Sequence, residues 1–172
     1  IFVDNQGTVR DGDAVLAALG RHRHREGRLP KGTVVATVMS NLGLRKVLSE
    51  AGIAMQITPV GDRAVHQAMR DGEFGLGGEQ SGHILIDGPG ALTGDGLFTA
   101  LELLSLPECR DGRSSDAFAG FERFPQRLIN IPVTAKPPLD ELTDVQRAVA
   151  DTERALGNLG ERNQIATGGP DR

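Results

Sequence analysis

The chain has 172 residues and a formal net charge of -4, and this length suits one ordinary domain and part of a second. Its one cysteine, Cys109, excludes an internal disulfide and any multi-cysteine metal site. No apolar run approaches the ~20 residues of a membrane span, and no signal peptide opens the sequence. We therefore expect a cytoplasmic protein with no membrane partner.

A basic run, Arg-His-Arg-His-Arg, occupies residues 21–25. A nucleic-acid-binding arm would need more charge and aromatic residues for base stacking, yet the chain has no Trp or Tyr and only six Phe. Because cations suit the negative end of a helix dipole, the run instead predicts a solvated helix end. We expect no nucleic-acid partner.

The first predicted elements are a hairpin and a helix. Residues 1–4 and 8–10 are typical of two short strands around the turn Asn5-Gln6-Gly7. Asp11 or Asp13 can cap the helix that follows, which should end before the proline at position 30.

Strands and helices then alternate. Residues 33–39 form an apolar, β-branched run that predicts a strand buried on both faces, and residues 53–58 and 74–78 predict two more. Helices between and after these strands are indicated by apolar residues at helical spacing: Leu44, Val47, Leu48 and Ala51, then Val65, Ala68 and Met69, then Leu97, Ala100, Leu101 and Leu104. This order is the pattern of a three-layer α/β/α domain, for which we expect a mixed sheet.

The organisation changes after residue 106. Successive segments are expected to form a loop, a short helix, a strand or interdomain connector, a polar helix and a mobile tail: residues 107–113, 114–121, 127–133, 140–156 and 157–172. We therefore divide the chain into an α/β domain, residues 1–126, and a connector with the truncated start of a smaller α+β domain, residues 127–172.

Polar loops follow three of the predicted strands at their carboxyl ends. They are Ser40-Asn41, Gly61-Asp62-Arg63 and the segment 78–83. Ligands of open α/β sheets bind outside the carboxyl ends of the strands. The three loops therefore predict a binding site at this edge of the sheet.

The segment 78–83 reads Gly-Glu-Gln-Ser-Gly-His. Alternate residues of an extended loop point the same way, so Glu79 and Ser81 can reach one ligand together, and His83 could share that face. A carboxylate and a hydroxyl at this spacing can grip two neighbouring sugar hydroxyls, while the flanking glycines allow close approach of the backbone. A generic polar loop would explain the string as well.

Several segments together resemble one family. They are Gly77 to His83, Thr93-Gly94-Asp95-Gly96, Met39-Ser40-Asn41-Leu42-Gly43-Leu44, Val60-Gly61-Asp62-Arg63 and Phe124-Pro125-Gln126. In this order they are similar to the bacterial phosphoglucosamine mutases of the α-D-phosphohexomutase superfamily, over residues 1 to about 157. The phosphomannomutase/phosphoglucomutase branch is the close alternative.

The resemblance implies a two-step phosphoryl exchange. A phosphoserine on the family's first domain gives its phosphate to glucosamine 6-phosphate, and the bisphosphorylated sugar returns its other phosphate, with Mg²⁺ neutralising charge. The implied partners are a hexosamine phosphate substrate and the remaining domains of the parent enzyme. The metal loop is expected just before Ile1, so we expect no cofactor on this segment.

The resemblance also implies roles for individual residues. Gly78, Glu79, Ser81 and His83 would bind the sugar, with Arg63 near the substrate phosphate and Ser40 and Asn41 lining the cleft. Alternatives stay open: Arg63 as a surface or salt-bridged residue, Ser40 and Asn41 as a strand end, and His83 as a structural hydrogen-bonding group. Asp62 and Asp95 are expected to cap helices.

Parts of the family pattern are missing from this sequence. Nothing resembles the catalytic serine motif, and the family's final phosphate-binding loop has no match after Gly157. We therefore expect the chain alone to be inactive. A sugar-phosphate-binding or partner-binding module without catalysis is the alternative. An unrelated nucleotide-binding domain is disfavoured because neither Gly-x-Gly-x-x-Gly after the first strand nor a Walker motif occurs.

Overall fold

The computed structural model describes residues 1–88, 91–127, 132, 137, 138 and 141–156. The chain forms two compact units, Ile1–Phe124 and Pro125–Arg172. The boundary that the sequence suggests at residue 126 stays a prediction. None of the helices within the described residues is long and apolar enough to cross a membrane.

The first unit opens with the predicted hairpin and helix. Strand β1, Phe2–Val3, pairs antiparallel with β2, Val9–Arg10. Helix α1, Gly12–Arg25, ends before the proline as predicted. Its cap is Asp11, whose carboxylate accepts the main-chain N–H of Ala14 at 3.0 Å.

A mixed sheet of five strands lies at the centre of the described part of this unit. The strands are β3 Thr33–Thr37, β4 Ala54–Thr58, β5 Leu76–Gly78, β6 Ile84–Gly88 and β7 Ala91–Thr93, in the order β4-β3-β5-β6-β7. Strand β3 is parallel to β4 and β5, whereas β6 is antiparallel to both β5 and β7. Every residue of β3 is buried, which confirms the predicted strand with two covered faces.

Helices cover both faces of the sheet. Helix α1, α2 (Leu42–Glu50) and α4 (Gly96–Leu104) contribute to the main core, which includes Val34 and Ala36 of β3. Helix α3 (Asp62–Gly72) packs in a second cluster that includes Val35. Because successive side chains of a strand point to opposite faces, the two clusters lie on opposite sides of the sheet. The three-layer α/β/α fold is thus confirmed.

Some local predictions were wrong. The basic run lies at the end of α1, as predicted, but it is not solvated throughout. His22 and Arg23 are buried, and Arg23 Nη2 donates to the Glu102 carboxylate at 2.8 Å. Strand β7 was not predicted. The expected loop after residue 106 contains a 3₁₀ helix, Pro107–Gly112, and the short helix that follows is also 3₁₀, Ser114–Phe118.

Two caps at other helices can be compared with their predictions. Asp95 caps α4, since its Oδ1 accepts the main-chain N–H groups of Leu97 and Phe98 at 2.8 and 3.0 Å. Asp62 is not a cap. Helix α3 is preceded by Gly61 at φ 124°, and Asp62 is its first residue.

The second unit contains α5, Thr143–Leu156, within the predicted polar helix. Leu142 directly precedes the helix, and its carbonyl oxygen accepts the main-chain N–H of Gln146 at 3.0 Å. Most of the predicted strand or connector at 127–133 and the whole predicted tail at 157–172 lie outside the described residues.

Candidate functional site

The carboxyl ends of β3, β4 and β5 meet at one edge of the sheet, because β3 is parallel to both neighbours. The loop after β5, residues 79–83, is a five-residue hairpin connection to the antiparallel β6, which we call the hairpin loop. Glu79 N–H donates to His83 O at 3.0 Å, and Gly82 N–H donates to Glu79 O at 2.9 Å. The segment is therefore a tight turn, and the extended conformation expected from the sequence is wrong.

Two glycines make this turn possible. Gly82 has φ +106°, a conformation that side-chain-bearing residues rarely adopt. A Cβ on Gly78 would press on the His83 carbonyl oxygen and the Ile84 side chain across the hairpin. Gly78 therefore has a clear structural reason to be glycine. Any contact that it makes with a substrate stays a prediction.

The Glu79 side chain links the hairpin loop to the loop after β4. Its Oε1 accepts the main-chain N–H of Gly61 at 2.9 Å, and the side chain is 11% exposed. Its Oε2 lies 3.5 Å from His83 Nδ1. One carboxylate oxygen is thus held by the fold, and the other faces the histidine.

Ser81 and His83 form the exposed side of the hairpin loop. The Ser81 hydroxyl oxygen lies 3.4 Å from His83 Nδ1, the same nitrogen that Glu79 approaches. The imidazole is 73% exposed. A carboxylate, a hydroxyl and an imidazole thus meet at one point, although the strand alternation expected from the sequence does not apply. This group can both donate and accept hydrogen bonds.

A cleft of about 190 Å³ borders this group. His83 and Gly82 line one part of it, and Gly94, Gly96 and Thr99 from the start of α4 line another.

Asn41, after β3, is held by main-chain contacts. Its Oδ1 accepts from the N–H of Gly43 and of Phe124 at 2.9 Å each, and its Nδ2 donates to Phe124 O at 2.8 Å. The residue is 2% exposed and is the cap of α2. Of the two alternatives left by the sequence, this geometry favours the strand-end role.

Ser40 and Asp13 lie together beneath the loops. Asp13 Oδ2 accepts the main-chain N–H of Asn41 at 2.7 Å and the side-chain amide of Gln80 at 3.3 Å. Asp13 Oδ1 and Ser40 Oγ are buried without a hydrogen-bond partner among the described residues. The Ser40 hydroxyl is near enough to favour the ionised carboxylate, although it lies outside hydrogen-bonding geometry.

Burial raises the pKa of Asp13 from 3.8 to about 6. The hydrogen bonds from Asn41 and Gln80 and the Ser40 hydroxyl lower this pKa, and the negative charge of Asp11 raises it further. Burial is the largest of these effects, as expected for a carboxylate removed from water.

Arg63 lies in the first turn of α3, beyond the loop after β4. It is exposed, and its guanidinium has no ion-pair partner within the described part of the chain. Its main-chain N–H donates to Asp62 Oδ1 at 2.7 Å. The salt-bridged alternative is therefore not seen for the described residues.

The described ranges contain no group of three or more His, Cys, Asp or Glu side chains that could hold a metal ion. The donor set of this site therefore does not fit Mg²⁺, and no step of chemistry at this site is assigned to a metal.

The sequence predicts Gly61 in one of the site loops and Asp13 as a possible helix cap. It does not predict the contact of Gly61 with Glu79 or those of Asp13 with Asn41 and Gln80. A signal was present in Asp11-Gly12-Asp13, because a carboxylate in the first helical turn after the cap is not needed for capping.

Comparison with known proteins places this geometry in a class. A family profile described as "Phosphoglucomutase/phosphomannomutase, alpha/beta/alpha domain III" matches residues 11–124. The chain therefore belongs to the phosphoglucomutase/phosphomannomutase family. This confirms the resemblance at the level of family and fold.

Curated relatives narrow the likeness to one branch. The chain is 45% identical over 160 residues to a phosphoglucosamine mutase from Hyphomonas neptunium and 47% identical over 161 residues to one from Nocardia farcinica. Each match covers 93% of this chain and 35% of the relative, so the chain spans about a third of their length.

A solved structure supports the fold alone. A phosphoglucomutase/phosphomannomutase family protein from Burkholderia thailandensis is similar with a TM-score of 0.62 at 22% identity. The match covers 70% of this chain and 26% of that one.

Proposed function

We propose that this chain supplies the sugar-binding part of a phosphoglucosamine mutase, an enzyme that interconverts glucosamine 6-phosphate and glucosamine 1-phosphate. The relatives with that name support the assignment. The observation that carries it is the approach of Glu79 Oε2 and Ser81 Oγ to the same nitrogen of the exposed His83, at 3.5 and 3.4 Å.

This arrangement suits neighbouring ring hydroxyls. The Glu79 carboxylate accepts hydrogen bonds, and the Ser81 hydroxyl both donates and accepts them, so each can take one hydroxyl of a sugar. The anchor from Gly61 to the other Glu79 oxygen fixes the carboxylate before the sugar arrives. Such preorganisation reduces the entropy lost on binding.

Contacts near the middle of the ring also suit the proposed reaction. The sugar must present one end to the phosphoserine as the monophosphate and then, as the bisphosphate, present its other end to the serine that has lost its phosphate. Residues that hold ring hydroxyls serve both orientations, whereas residues that hold one phosphate do not. We assign the ring to Glu79 and Ser81, with His83 beside them and Gly78 allowing close approach.

The remaining predicted site residues receive different roles. The Arg63 guanidinium, which has no ion-pair partner among the residues that the structure describes, is proposed to attract the substrate phosphate. Ser40 and Asn41 are proposed to border the site and to act through the position of the loops, because the Asn41 amide is committed to the main chain.

The rest of the reaction is assigned to the parent enzyme. We propose that its other domains supply the phosphoserine and the Mg²⁺ site and that it works in the cytoplasm on a hexosamine phosphate. The chain by itself should give no mutase turnover. Measurable conversion of glucosamine 6-phosphate by the purified chain would contradict that division of labour.

An NMR titration of the ¹⁵N-labelled chain with glucosamine 6-phosphate tests the sugar-binding role. The amide signals of residues 79–83 should shift, and Ser81→Ala should weaken the binding about 2- to 10-fold, as expected for one hydrogen bond. Ser49→Ala is the matched control, because Ser49 is an exposed serine on α2. It should bind like the wild type.

Three other ligands separate the alternatives. Mannose 6-phosphate and glucose 6-phosphate test the phosphomannomutase/phosphoglucomutase branch, and inorganic phosphate tests recognition of the anion alone. The proposed sugar contacts would be ruled out if all four ligands bound equally. They would also be ruled out if Ser81→Ala and Glu79→Gln both bound the sugar phosphate as well as the wild type.

A further inference from the structure

The Asp13 carboxylate touches two of the three loops at the site. It lies in the first turn of α1 and is fully buried. One oxygen, Oδ2, accepts the Asn41 main-chain N–H at 2.7 Å and the Gln80 side-chain amide at 3.3 Å. A single atom therefore joins the turn after β3 to the hairpin loop after β5.

The start of α1 is built for this contact. Gly12 N–H donates to Gln80 O at 3.0 Å. A Cβ on Gly12 would overlap the Glu79 carbonyl oxygen and press on Gly82 N. The helix thus sits directly on the main chain of the hairpin loop, and a larger residue at position 12 would separate them.

The cluster is not the arrangement expected of a purely structural contact. A neutral side chain could accept the same two hydrogen bonds without removing a charge from water. Instead Asp13 Oδ1 and Ser40 Oγ are both buried without a hydrogen-bond partner among the described residues. Asp13 Oδ1 therefore remains an oxygen on which a proton can be placed without breaking either hydrogen bond that Oδ2 accepts.

The charged and titratable groups around this cluster are few. Asp11, the cap of α1, is on the same helix end, and Arg123 approaches Asp11 at 3.9 Å. Glu79 and His83 belong to the hairpin loop itself. The turn after β3 contributes the hydroxyl and amide of Ser40 and Asn41 and no charge.

We propose that Asp13 is a positioning residue. It holds the hairpin loop, which carries Glu79, Ser81 and His83, against the turn after β3, and how it holds the loop depends on whether Asp13 is protonated. The link from loop position to sugar binding rests on the proposed function above. Asp13 acts through Gln80 and Asn41 and does not touch the sugar. The raised pKa, about 6, puts the protonation change within the neutral to mildly acid range.

The test follows amide signals of the 172-residue chain by NMR between pH 4.5 and 7.5. In the wild type, Asn41 N–H and Gly12 N–H should titrate with a shared midpoint near 6. Asp13→Asn should abolish this titration while the fold is kept, because the amide oxygen still accepts from Asn41. Asp71→Asn, the same chemical change at an exposed site on α3, should leave it intact.

A second control separates Asp13 from the histidine. Because an imidazole titrates in the same pH range, the measurement is repeated in His83→Gln. The Asn41 and Gly12 titration should persist there. If it disappears in His83→Gln, or persists unchanged in Asp13→Asn, the proposal is overturned.

Hydrogen exchange and sugar binding give two further readouts. Asp13→Ala should speed exchange of Gly12 N–H about tenfold, since the bond to Gln80 O loses its support, without changing Val38 N–H, which donates to Thr58 O elsewhere in the sheet. Unchanged Gly12 exchange counts against the proposal.

Asp13→Asn should weaken glucosamine 6-phosphate binding about threefold. If the wild-type chain binds no sugar phosphate, the proposed function is contradicted. The pH titration and the hydrogen-exchange results would still test the role of Asp13 independently.

Discussion

The turn after β3 and the hairpin loop after β5 occupy the same edge of the sheet but use their polar residues in opposite ways. Asn41 is 2% exposed, and its amide bonds the main chain of Gly43 and Phe124. Ser81 and His83 are exposed; they contact each other, and His83 also faces the Glu79 carboxylate. A polar side chain at a strand end thus acts as an anchor, by which we mean that it bonds main-chain groups, where those groups need partners. Where the main-chain groups are already bonded, the side chain is free for a ligand.

Glu79 combines the two uses. One carboxylate oxygen accepts from Gly61 N–H, as an anchor does, and the other faces His83. The difference between the turn and the hairpin loop is therefore a difference in how many polar atoms the fold already satisfies. This difference can be tested by removing anchors and exposed groups separately.

The largest effect is expected for Asn41→Ala. The change removes the α2 cap and takes the Asn41 side chain away from the partly buried main-chain groups of Phe124, so the free energy of unfolding should fall by about 2–4 kcal/mol. Urea denaturation followed by circular dichroism measures it, since the chain has no Trp or Tyr. Asn41→Asp keeps the accepting oxygen and should lose roughly half as much. A loss below 0.5 kcal/mol for the alanine variant would mean that Asn41 is not an anchor.

The next effect is expected for Gly12→Ala. The new methyl group would overlap the Glu79 carbonyl oxygen, so α1 and the hairpin loop must move apart at a cost of about 1–3 kcal/mol. Gly96→Ala is a matched control, because Gly96 is also the first residue of a helix and a Cβ there would meet nothing within 4 Å. The control should be neutral or slightly stabilising. Equal effects of the two substitutions in the same urea experiment would contradict the close contact.

The sequence predicted the parts of the fold that depend on local pattern. Strand β3 was recognisable because a strand covered on both faces is apolar throughout. Helix α2 was recognisable from Leu44, Val47 and Leu48, which are all buried. Both predictions needed only neighbouring residues and their spacing.

Pairing between strands was harder to predict. The antiparallel pairing of β5 with β6 makes residues 79–83 a hairpin loop. None of these five residues predicts the pairing by itself. Among the described strands, β7 pairs with β6 alone, so it depends on the hairpin that precedes it. The wrong expectation of an extended loop followed from this missing pairing.

The site was predictable by residue type and not by contact. Glu79, Ser81 and His83 were named from the sequence, and the structure brings them together. The contacts of Asp13 could not be predicted, because its partners Asn41 and Gln80 are 28 and 67 residues away in the chain. Contacts of that kind are decided by how α1 packs on the sheet.

A smaller effect is expected from the charge on Asp13. Its pKa is about 6 in the folded chain and 3.8 without burial, so the folded state binds a proton that the unfolded state has released between these values. Stability from this group therefore rises as the pH falls through 6. The free energy of unfolding should gain about 1 kcal/mol between pH 7 and pH 5 relative to Asp13→Asn, which cannot take up this proton.

Urea titrations of both proteins at the two pH values measure this change. Comparing wild type with Asp13→Asn removes the contributions of other groups, such as Asp4, whose pKa is lowered by hydrogen bonds from Thr8, Arg10 and Gln6 against the effect of burial. The free energy of unfolding of the wild type relative to Asp13→Asn should therefore not increase as the pH rises. An increase would be opposite to the effect expected of a buried carboxylate with one oxygen that has no partner among the described residues.

The smallest effect on stability is expected for Ser81→Ala. The Ser81 hydroxyl is exposed, and its contact is with an imidazole that is itself 73% exposed, so water replaces the contact when it is lost. The free energy of unfolding should change by less than about 0.5 kcal/mol, the usual range for exposed positions. A larger loss would make Ser81 an anchor like Asn41 and would remove the contrast between the two loops. A small loss of free energy of unfolding combined with weaker sugar-phosphate binding would show that the fold leaves Ser81 free for a ligand. Only a contact with the ligand lowers the binding affinity while hardly changing the stability.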